Sequence, residues 1–218
     1  MKLSWSPERA SKAYIDTVQS CEVSRESGVA EFISAMAAGW NAQLIVETWS
    51  QGGVIATSVG LAVARRHTCG RHVCVVADER ARSEYAERMG EAGVAAEIVV
   101  GEAEEVMEGL VGVEFLVVDG RRKDFPRVVR LAKLSSRGAV LLCKNATSAS
   151  KAKGFVWRSL VAQAQASNSR RLLRSVFLPV GKGLDMAHVS ASSHGTTSRH
   201  RWIKHVDQQS GDVHFIRK

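Results

Sequence analysis

The sequence has 218 residues, of which 45% are hydrophobic and 24% are charged, and its formal net charge is +8. This length can bury one sizeable core, and three prolines and 18 glycines exclude a collagen-like or low-complexity chain. Apolar runs such as Ala139 to Cys143 are too short to cross a membrane, so we expect no membrane partner. The opening MKLSWSPERASK lacks the apolar stretch of an export signal, and we expect a cytoplasmic or nuclear protein.

Two helices are predicted at the start of the chain, followed by an alternation of strands and helices. The first two helices are Pro7 to Gln19 and Gly28 to Ala38. The predicted strands are Gln43 to Thr48, His72 to Ala77, Ala95 to Val99, Glu114 to Val118 and Ala139 to Cys143. The helices between them are Val54 to Arg66, Glu79 to Ala92, Ala103 to Val111 and Pro126 to Leu134. This alternation is typical of a parallel sheet with crossover helices.

The pattern changes after Cys143. A helix is predicted around Trp157 to Ala166, followed by strands Ser175 to Pro179 and Leu184 to Ser190 that a short turn joins into an antiparallel hairpin. The predicted fold class is therefore α/β, with a Rossmann-like doubly wound sheet of seven strands, mostly parallel with an antiparallel edge hairpin. We expect one domain over residues 1–190 and a basic linker with a C-terminal tail or second hairpin over residues 191–218.

In an open parallel sheet, ligands bind beyond the carboxyl ends of the strands, so the residues that follow each strand are the candidates for function. The first strand carries Glu47 near its end and leads through Trp49 into a small-residue turn with Gly52 and Gly53. That turn contains neither a G-x-G-x-x-G nor a P-loop motif. Asp78 and Glu79 follow the second strand, where an acid can bind ribose hydroxyls or cap the next helix. Later strand ends carry Gly101, Ala103, Asp119, Lys144 and Asn145.

These residues carry a resemblance to a known family. Val29 to Asn145 resembles the class I S-adenosylmethionine-dependent methyltransferases, and is similar in layout to the cation-dependent O-methyltransferases that act on catechols and caffeoyl-CoA. The segments LSWSPERASKAYIDTV, AEFISAMAAGWNAQLIVETWSQGG and RSVFLPVGKGLDMAHV resemble, more narrowly, a plant family catalogued only as a domain of unknown function with that fold. The narrower resemblance covers nearly the whole chain.

The resemblance implies S-adenosylmethionine as the cofactor and assigns residues to it. Glu47 matches the acid of the first methyltransferase motif, and Gly53 matches the glycine six residues later. Asp78 or Glu79 corresponds to the ribose-binding acid, and these two alternatives stay open. Gly101 with Ala103 matches the Gly-x-Ala turn beside the adenine.

The resemblance also implies a metal site that this sequence has altered. In the O-methyltransferases, an Asp after strand four and an Asp-Asn pair after strand five bind a divalent cation; here Asp119 and Asn145 match, but Lys144 replaces the middle ligand. Because a lysine repels a cation, we expect no metal. Asp119, Lys144 and Asn145 become the candidate catalytic residues, with Lys144 or Asp119 orienting the substrate or acting as base.

A second departure leaves two hypotheses open. Trp49 stands where the working enzymes have glycine, so its side chain would occupy or cap the cofactor cleft unless the loop is rerouted through Gly52 and Gly53. If the indole turns away beneath the following helix, an enzyme acting on a small, anionic molecule is favoured. If the indole enters the cleft, the chain is a degenerate methyltransferase fold that serves as a binding or scaffold module for an anionic partner.

Charge is distributed unevenly along the chain and suggests an anionic ligand. Residues 1–119 have a net charge of −8 and residues 120–218 a net charge of +16. We expect one shared cleft mouth, with acids inside and cations at the rim, formed by Glu47, Asp78, Arg121, Arg122, Lys123 and Lys144. We expect no nucleic-acid partner, because only Trp157 and Trp202 accompany the basic stretches.

Two other functional classes are disfavoured. His67, Cys69, His72 and Cys74 lie within eight residues, but their spacing matches no standard zinc site. No G-x-S-x-G motif occurs, so nothing indicates a serine hydrolase. The sequence leaves the oligomeric state open.

Overall fold

The computed structural model describes residues 4–21, 28–146, 157, 172–191, 202–206 and 213–217, the last two ranges by their backbone only. The helices in these ranges are α1 (Pro7–Ser20), α2 (Val29–Gly39), α3 (Ala56–Thr68), α4 (Glu79–Glu91), α5 (Ala103–Gly109) and α6 (Phe125–Leu131). The strands are β1 (Leu44–Thr48), β2 (Arg71–Val76), β3 (Glu97–Val100), β4 (Val111–Val113), β5 (Phe115–Asp119), β6 (Lys133–Leu134), β7 (Ala139–Lys144), β8 (Leu172–Leu178), β9 (Leu184–Val189), β10 (Trp202–Val206) and β11 (Val213–Arg217).

Seven strands form the central sheet in the order β3-β2-β1-β5-β7-β9-β8. The first five of these pair in parallel, and β9 pairs antiparallel with both β7 and β8. The predicted fold class is therefore confirmed, including the antiparallel hairpin at one edge. Because β9 is antiparallel to both β7 and β8, β8 runs in the same direction as the five parallel strands. Only β9 opposes them.

The central strands are buried on both faces, as their nearly continuous apolar runs require. Every residue of β1, β5 and β7 is buried. One face packs against α5 and α6, and the other packs against α1, α2 and α3 and, beside β2, against α4. The carboxyl ends of β1, β5 and β7 therefore project from a rigid core, which fixes the positions of the residues that follow them. None of the helices in the described ranges is long and apolar enough to cross a membrane.

Two predicted helices are shorter in the structure than the sequence pattern indicated. The helix predicted to Val111 ends at Gly109, and the helix predicted to Leu134 ends at Leu131. The residues shortly after the observed ends of these two helices form β4 and β6, which pair in parallel as a separate two-stranded sheet. Strands of two or three residues are too short to show a period-two pattern, which is why the sequence did not reveal them.

The C-terminal predictions fall partly outside the described residues. The predicted second hairpin is present, because β10 and β11 pair antiparallel from Trp202–Arg217 to Val206–Val213. The helix predicted around residues 157–166 and the linker over residues 190–198 lie outside the described residues, except at 157, 190 and 191. The domain boundary at residue 190 stays a prediction.

Helix α3 carries a glycine where it crosses α2. A Cβ atom on Gly60 would lie 2.6 Å from the carbonyl oxygen of Ala30, whereas a Cβ on Gly90 of α4 would have no neighbour within 4 Å. Both glycines occupy helices, where alanine is intrinsically favoured. The close approach of α2 and α3 therefore depends on Gly60.

We expect Gly60→Ala to lower the free energy of unfolding by about 1–3 kcal/mol, because the new methyl group must displace backbone. The matched control Gly90→Ala should raise it by up to about 1 kcal/mol, because alanine restricts the unfolded chain without a clash. Urea unfolding of both variants measures these changes. Equal stabilisation by the two substitutions would contradict the α2–α3 contact.

Candidate functional site

A cavity of about 350 Å³ opens at the carboxyl edge of the sheet. It lies beside the point where strand order reverses between β1 and β5, which is where ligands bind in open α/β sheets. The residues that line it come from the start of α3, the ends of β5 and β7 and the turn between β8 and β9, and include Val54, Thr57, Arg121, Lys144, Asn145 and Lys182.

One wall of the cavity depends on a glycine in the β8–β9 turn. Gly181 has a φ of +58°, and a Cβ there would lie 2.7 Å from Cγ2 of Val29 at the start of α2. The absence of a side chain lets the turn pack directly against α2. This contact places Lys182, which the sequence analysis did not single out, in the cavity lining.

Asp119 is the centre of a hydrogen-bond network that joins the ends of β5 and β7. Arg121 donates to its carboxylate from Nη2 at 2.7 Å, from Nε at 3.1 Å and from its backbone N–H at 2.9 Å, and Asn145 donates from Nδ2 at 2.9 Å. Burial opposes ionisation, but these hydrogen bonds and the charge of Lys144 outweigh it and lower the pKa of Asp119. Asp119 is therefore ionised, and both of its carboxylate oxygens accept hydrogen bonds.

Lys144 ends β7 and is only 8% exposed, with its remaining exposure in the cavity lining. Its side chain makes no hydrogen bond or ion pair with any described residue. Its positive charge lies close enough to Asp119 and Glu47 to lower the pKa of both carboxyls. The ammonium group is thus buried near carboxylates that are held by other partners.

Glu47 lies beneath the cavity rather than in its lining. It is fully buried, and its carboxylate accepts hydrogen bonds from Ser58 Oγ at 3.0 Å and Tyr85 OH at 2.9 Å, with His72 Nε2 at 3.1 Å. Burial opposes its charge, but the hydrogen bond and charge of His72 and the charge of Lys144 outweigh that cost and lower the pKa of Glu47. Burial and the charge of Glu47 raise the pKa of Tyr85, which stays a neutral donor.

Trp49 turns away from the cavity, beneath α4. Its side chain is 1% exposed, and its ring meets the Tyr85 ring edge to face with the centroids 5.4 Å apart. It packs in a cluster formed by β2, α3 and α4 and does not line the cavity. The indole therefore lies outside this cavity and packs against the β1–α3 turn, where a Cβ on Gly53 would lie 2.9 Å from its Nε1.

The loop between β1 and α3 is held by contacts with α4. A Cβ on Gly53 would lie 2.7 Å from the carbonyl oxygen of Ser50, so the turn needs glycine there. Glu84 accepts from the backbone N–H of Gly52 at 3.1 Å, and Arg88 donates to the Gly53 carbonyl oxygen at 2.7 Å. Two residues of α4 therefore hold this loop.

The two acids after β2 have different roles in the structure. Asp78 caps α4, because its Oδ1 accepts from the backbone N–H of Ala81 at 2.7 Å. Glu79 is exposed and pairs with Arg82 at 3.1 Å. Neither acid lines the cavity. At the next strand end, Gly101 donates its N–H to the Val76 carbonyl oxygen at 2.9 Å, and buried Ala103 begins α5.

The prediction that six residues share one mouth is only partly right. Arg121 and Lys144 line the cavity, whereas Glu47 and Asp78 do not. Arg122 and Lys123 are also absent from the cavity lining. Arg122 forms an ion pair with Asp124 and donates to Ser50 Oγ at 2.8 Å, and Lys123 faces solvent.

Metal-binding geometry is missing among the described residues. No group of three or more His, Cys, Asp or Glu side chains there could hold an ion. His67 contacts Asp16 at 2.8 Å, while His72 contacts Glu47, so the histidines of the His/Cys cluster have separate partners.

Solved structures with similar architecture define the class of fold. The O-methyltransferase TomG from Streptomyces achromogenes, crystallised with S-adenosylmethionine, is 23% identical, with 86% of this chain and 92% of that chain covered and a TM-score of 0.56. An O-methyltransferase from Bacillus cereus in complex with S-adenosylhomocysteine is 16% identical, with 85% and 92% covered and a TM-score of 0.55. A putative caffeoyl-CoA O-methyltransferase from Staphylococcus aureus is 14% identical, with 80% and 91% covered and a TM-score of 0.52. The fold is methyltransferase-like.

The family is shown by the sequence itself. A family model described as "Protein of unknown function (DUF1442)" matches residues 1–218, and the chain belongs to that family. This confirms the resemblance to a family of unknown function with a methyltransferase-like fold. No curated protein matches the chain.

Removal of one donor tests the network around Glu47. We expect Tyr85→Phe to lower the free energy of unfolding by about 1–3 kcal/mol, because it leaves a buried carboxylate short of a hydrogen bond. Tyr14→Phe is the matched control, because Tyr14 is 46% exposed on α1. Denaturant unfolding of both variants should show the loss only for Tyr85→Phe, and equal stabilities would contradict the assigned network.

Proposed function

We propose that this protein binds S-adenosylmethionine and transfers its methyl group to a small, anionic molecule without a metal ion. The observation that carries the proposal is the cavity at the carboxyl edge, with buried Lys144 beside the Asp119–Asn145 pair. The methyltransferase-like fold and the orientation of Trp49 away from the cavity support it.

The residues present fit the cofactor at three points. Asp78 uses one carboxylate oxygen to cap α4, which leaves the other for a ribose hydroxyl. Helix α3 begins without a side-chain cap, so its first-turn N–H groups are available to the cofactor carboxylate. Gly101 and Ala103 form the turn after β3 that would adjoin the adenine. When bound, S-adenosylmethionine supplies an electrophilic methyl group on a sulfonium sulfur.

The chain's own groups would bind and orient the acceptor. Arg121 and Asn145 fix Asp119, and its lowered pKa makes it a weak base but a stable anchor for these two side chains. Lys144 would bind the negative group of the acceptor and hold it against the start of α3. A divalent cation is disfavoured, because Lys144 repels it and Asp119 already accepts several hydrogen bonds.

A specific observation favours a second candidate function. Arg122 reaches from the end of β5 to Ser50 after β1, and α4 holds Gly52 and Gly53, so the β1–α3 loop is closed by the protein itself. If this loop stays closed, the cavity alone is the functional site. The protein would then be a binding or scaffold module for an anionic partner.

Calorimetric titration with S-adenosylhomocysteine separates the two candidates. We expect the full chain to bind it with a Kd below about 100 µM, and Asp78→Asn to weaken binding by at least about tenfold, because asparagine keeps the helix cap but removes the charged acceptor. Glu79→Gln is the control and should change the Kd by less than about twofold. Absence of heat in the wild type, with S-adenosylmethionine also silent, would favour the binding module.

Thermal unfolding in the presence of divalent salts tests whether the protein binds a metal ion. We expect about 5 mM MgCl₂ or MnCl₂ to shift the Tm no more than NaCl of equal ionic strength, because a ligand raises Tm only if it binds the native state. Differential scanning calorimetry measures the shift. A selective rise with MnCl₂ would contradict the expectation that Lys144 has removed the metal site.

A further inference from the structure

Lys144 is a largely buried cation whose side chain has no partner in the described part of the chain. It is 8% exposed, and no other side chain in the described part of the chain forms a hydrogen bond or ion pair with it. The two nearest carboxylates are engaged elsewhere, Asp119 by Arg121 and Asn145, and Glu47 by His72 and other donors. Burying an ammonium group without a partner costs free energy, and a bound anion would offset that cost.

A second buried polar group faces the same cavity. Thr57 is 4% exposed in the first turn of α3, lines the cavity with Lys144, and makes no side-chain hydrogen bond to any described residue. Its hydroxyl can donate to the same oxyanion as the ammonium group. The cavity lining therefore includes two largely buried residues with side-chain donors, one on β7 and one on α3.

The charge of the cavity lining also points to an anion. Among its described residues, Arg121, Lys144 and Lys182 are basic and none is acidic. The charge of Arg121 is balanced by Asp119, with which it forms a bidentate pair. A lining with basic and no acidic side chains attracts an anion and disfavours a cation.

The remaining lining is apolar. Val29, Val54, Val180 and Leu184 lie around the polar groups. Small-molecule sites typically combine an apolar wall with a few convergent polar groups that fix the orientation of the ligand. A simple inorganic ion would leave this apolar surface unused.

We propose that the ligand of this cavity is a small organic acid, with a carboxylate or phosphate group bound by Lys144 and Thr57 and an apolar body against Val29, Val54 and Val180. This proposal rests on the proposed function in that it names the class of acceptor. It does not require S-adenosylmethionine to bind, because it rests on the side chains of Lys144 and Thr57, whereas the cofactor is assigned only backbone N–H groups in the first turn of α3.

Titration of the full chain with four probes tests the proposal. Benzoate and phenyl phosphate carry the two anionic groups on an apolar ring, benzamide is a neutral analogue of benzoate, and inorganic phosphate lacks the apolar body. We expect benzoate or phenyl phosphate to bind at least about tenfold more tightly than benzamide and inorganic phosphate. The preference between the first two identifies the anionic group.

Variants assign the binding to the cavity. We expect Lys144→Met to weaken binding of the preferred probe by at least about tenfold and Thr57→Val by about threefold. Lys123→Met is the control: it removes the same charge from an exposed residue after β5 that does not line the cavity, and should change the Kd by less than about twofold. Thr57→Val is nearly isosteric, so it remains informative if Lys144→Met fails to fold.

Three outcomes would overturn the proposal: binding of benzamide as tight as that of both benzoate and phenyl phosphate, equal effects of Lys144→Met and Lys123→Met, or no binding of any probe at about 10 mM. Titration with S-adenosylhomocysteine in parallel separates this proposal from the proposed function. Binding of the acids without S-adenosylhomocysteine would refute methyl transfer and keep the organic-acid site. Binding of S-adenosylhomocysteine without the acids would refute the organic-acid site and support the proposed cofactor.

Discussion

The order of the strands sets the position of everything that follows. The parallel strands all direct their carboxyl ends to one edge, and the order reverses between β1 and β5, so the loops after these two strands leave in opposite directions. The gap between them is the place where ligands bind in open α/β sheets. The cavity lies beside this gap, and its walls come from elements that are far apart in the sequence, α2, α3, β7 and the β8–β9 turn.

Buried charge decides what the cavity can bind. The structure satisfies the carboxylates of Glu47 and Asp119 with its own donors, which keeps both ionised and leaves neither available to a cation. Lys144 differs from these carboxylates, because it lines the cavity and its side chain has no partner among the described residues. Since an unpaired buried charge is costly, a position that tolerates one is a candidate binding site. The methyltransferase-like fold therefore presents a cationic group at the end of β7.

The sequence predicted the sheet because hydrophobic periodicity and β-branched runs report local structure directly. It also placed Asp119, Lys144 and Asn145 together, because parallel strand ends share one edge. It could not predict that Tyr85, 38 residues after Glu47, would complete a buried network, since that contact depends on how α4 packs. Lys182 was missed for a similar reason: it reaches the cavity only because Gly181 lets its turn contact α2. The rotamer of Trp49 likewise follows from packing under α4 rather than from any local pattern.

The central claim is that the cavity binds an anion rather than a cation. Anomalous diffraction from soaked crystals tests this claim most directly. One crystal would be soaked in sodium bromide and another in manganese chloride. We expect a bromide peak within hydrogen-bonding distance of Lys144 Nζ and no manganese peak beside Asp119 and Asn145. Manganese bound between Asp119 and Asn145, with no bromide at Lys144, would contradict the claim and show that this edge of the sheet binds a cation.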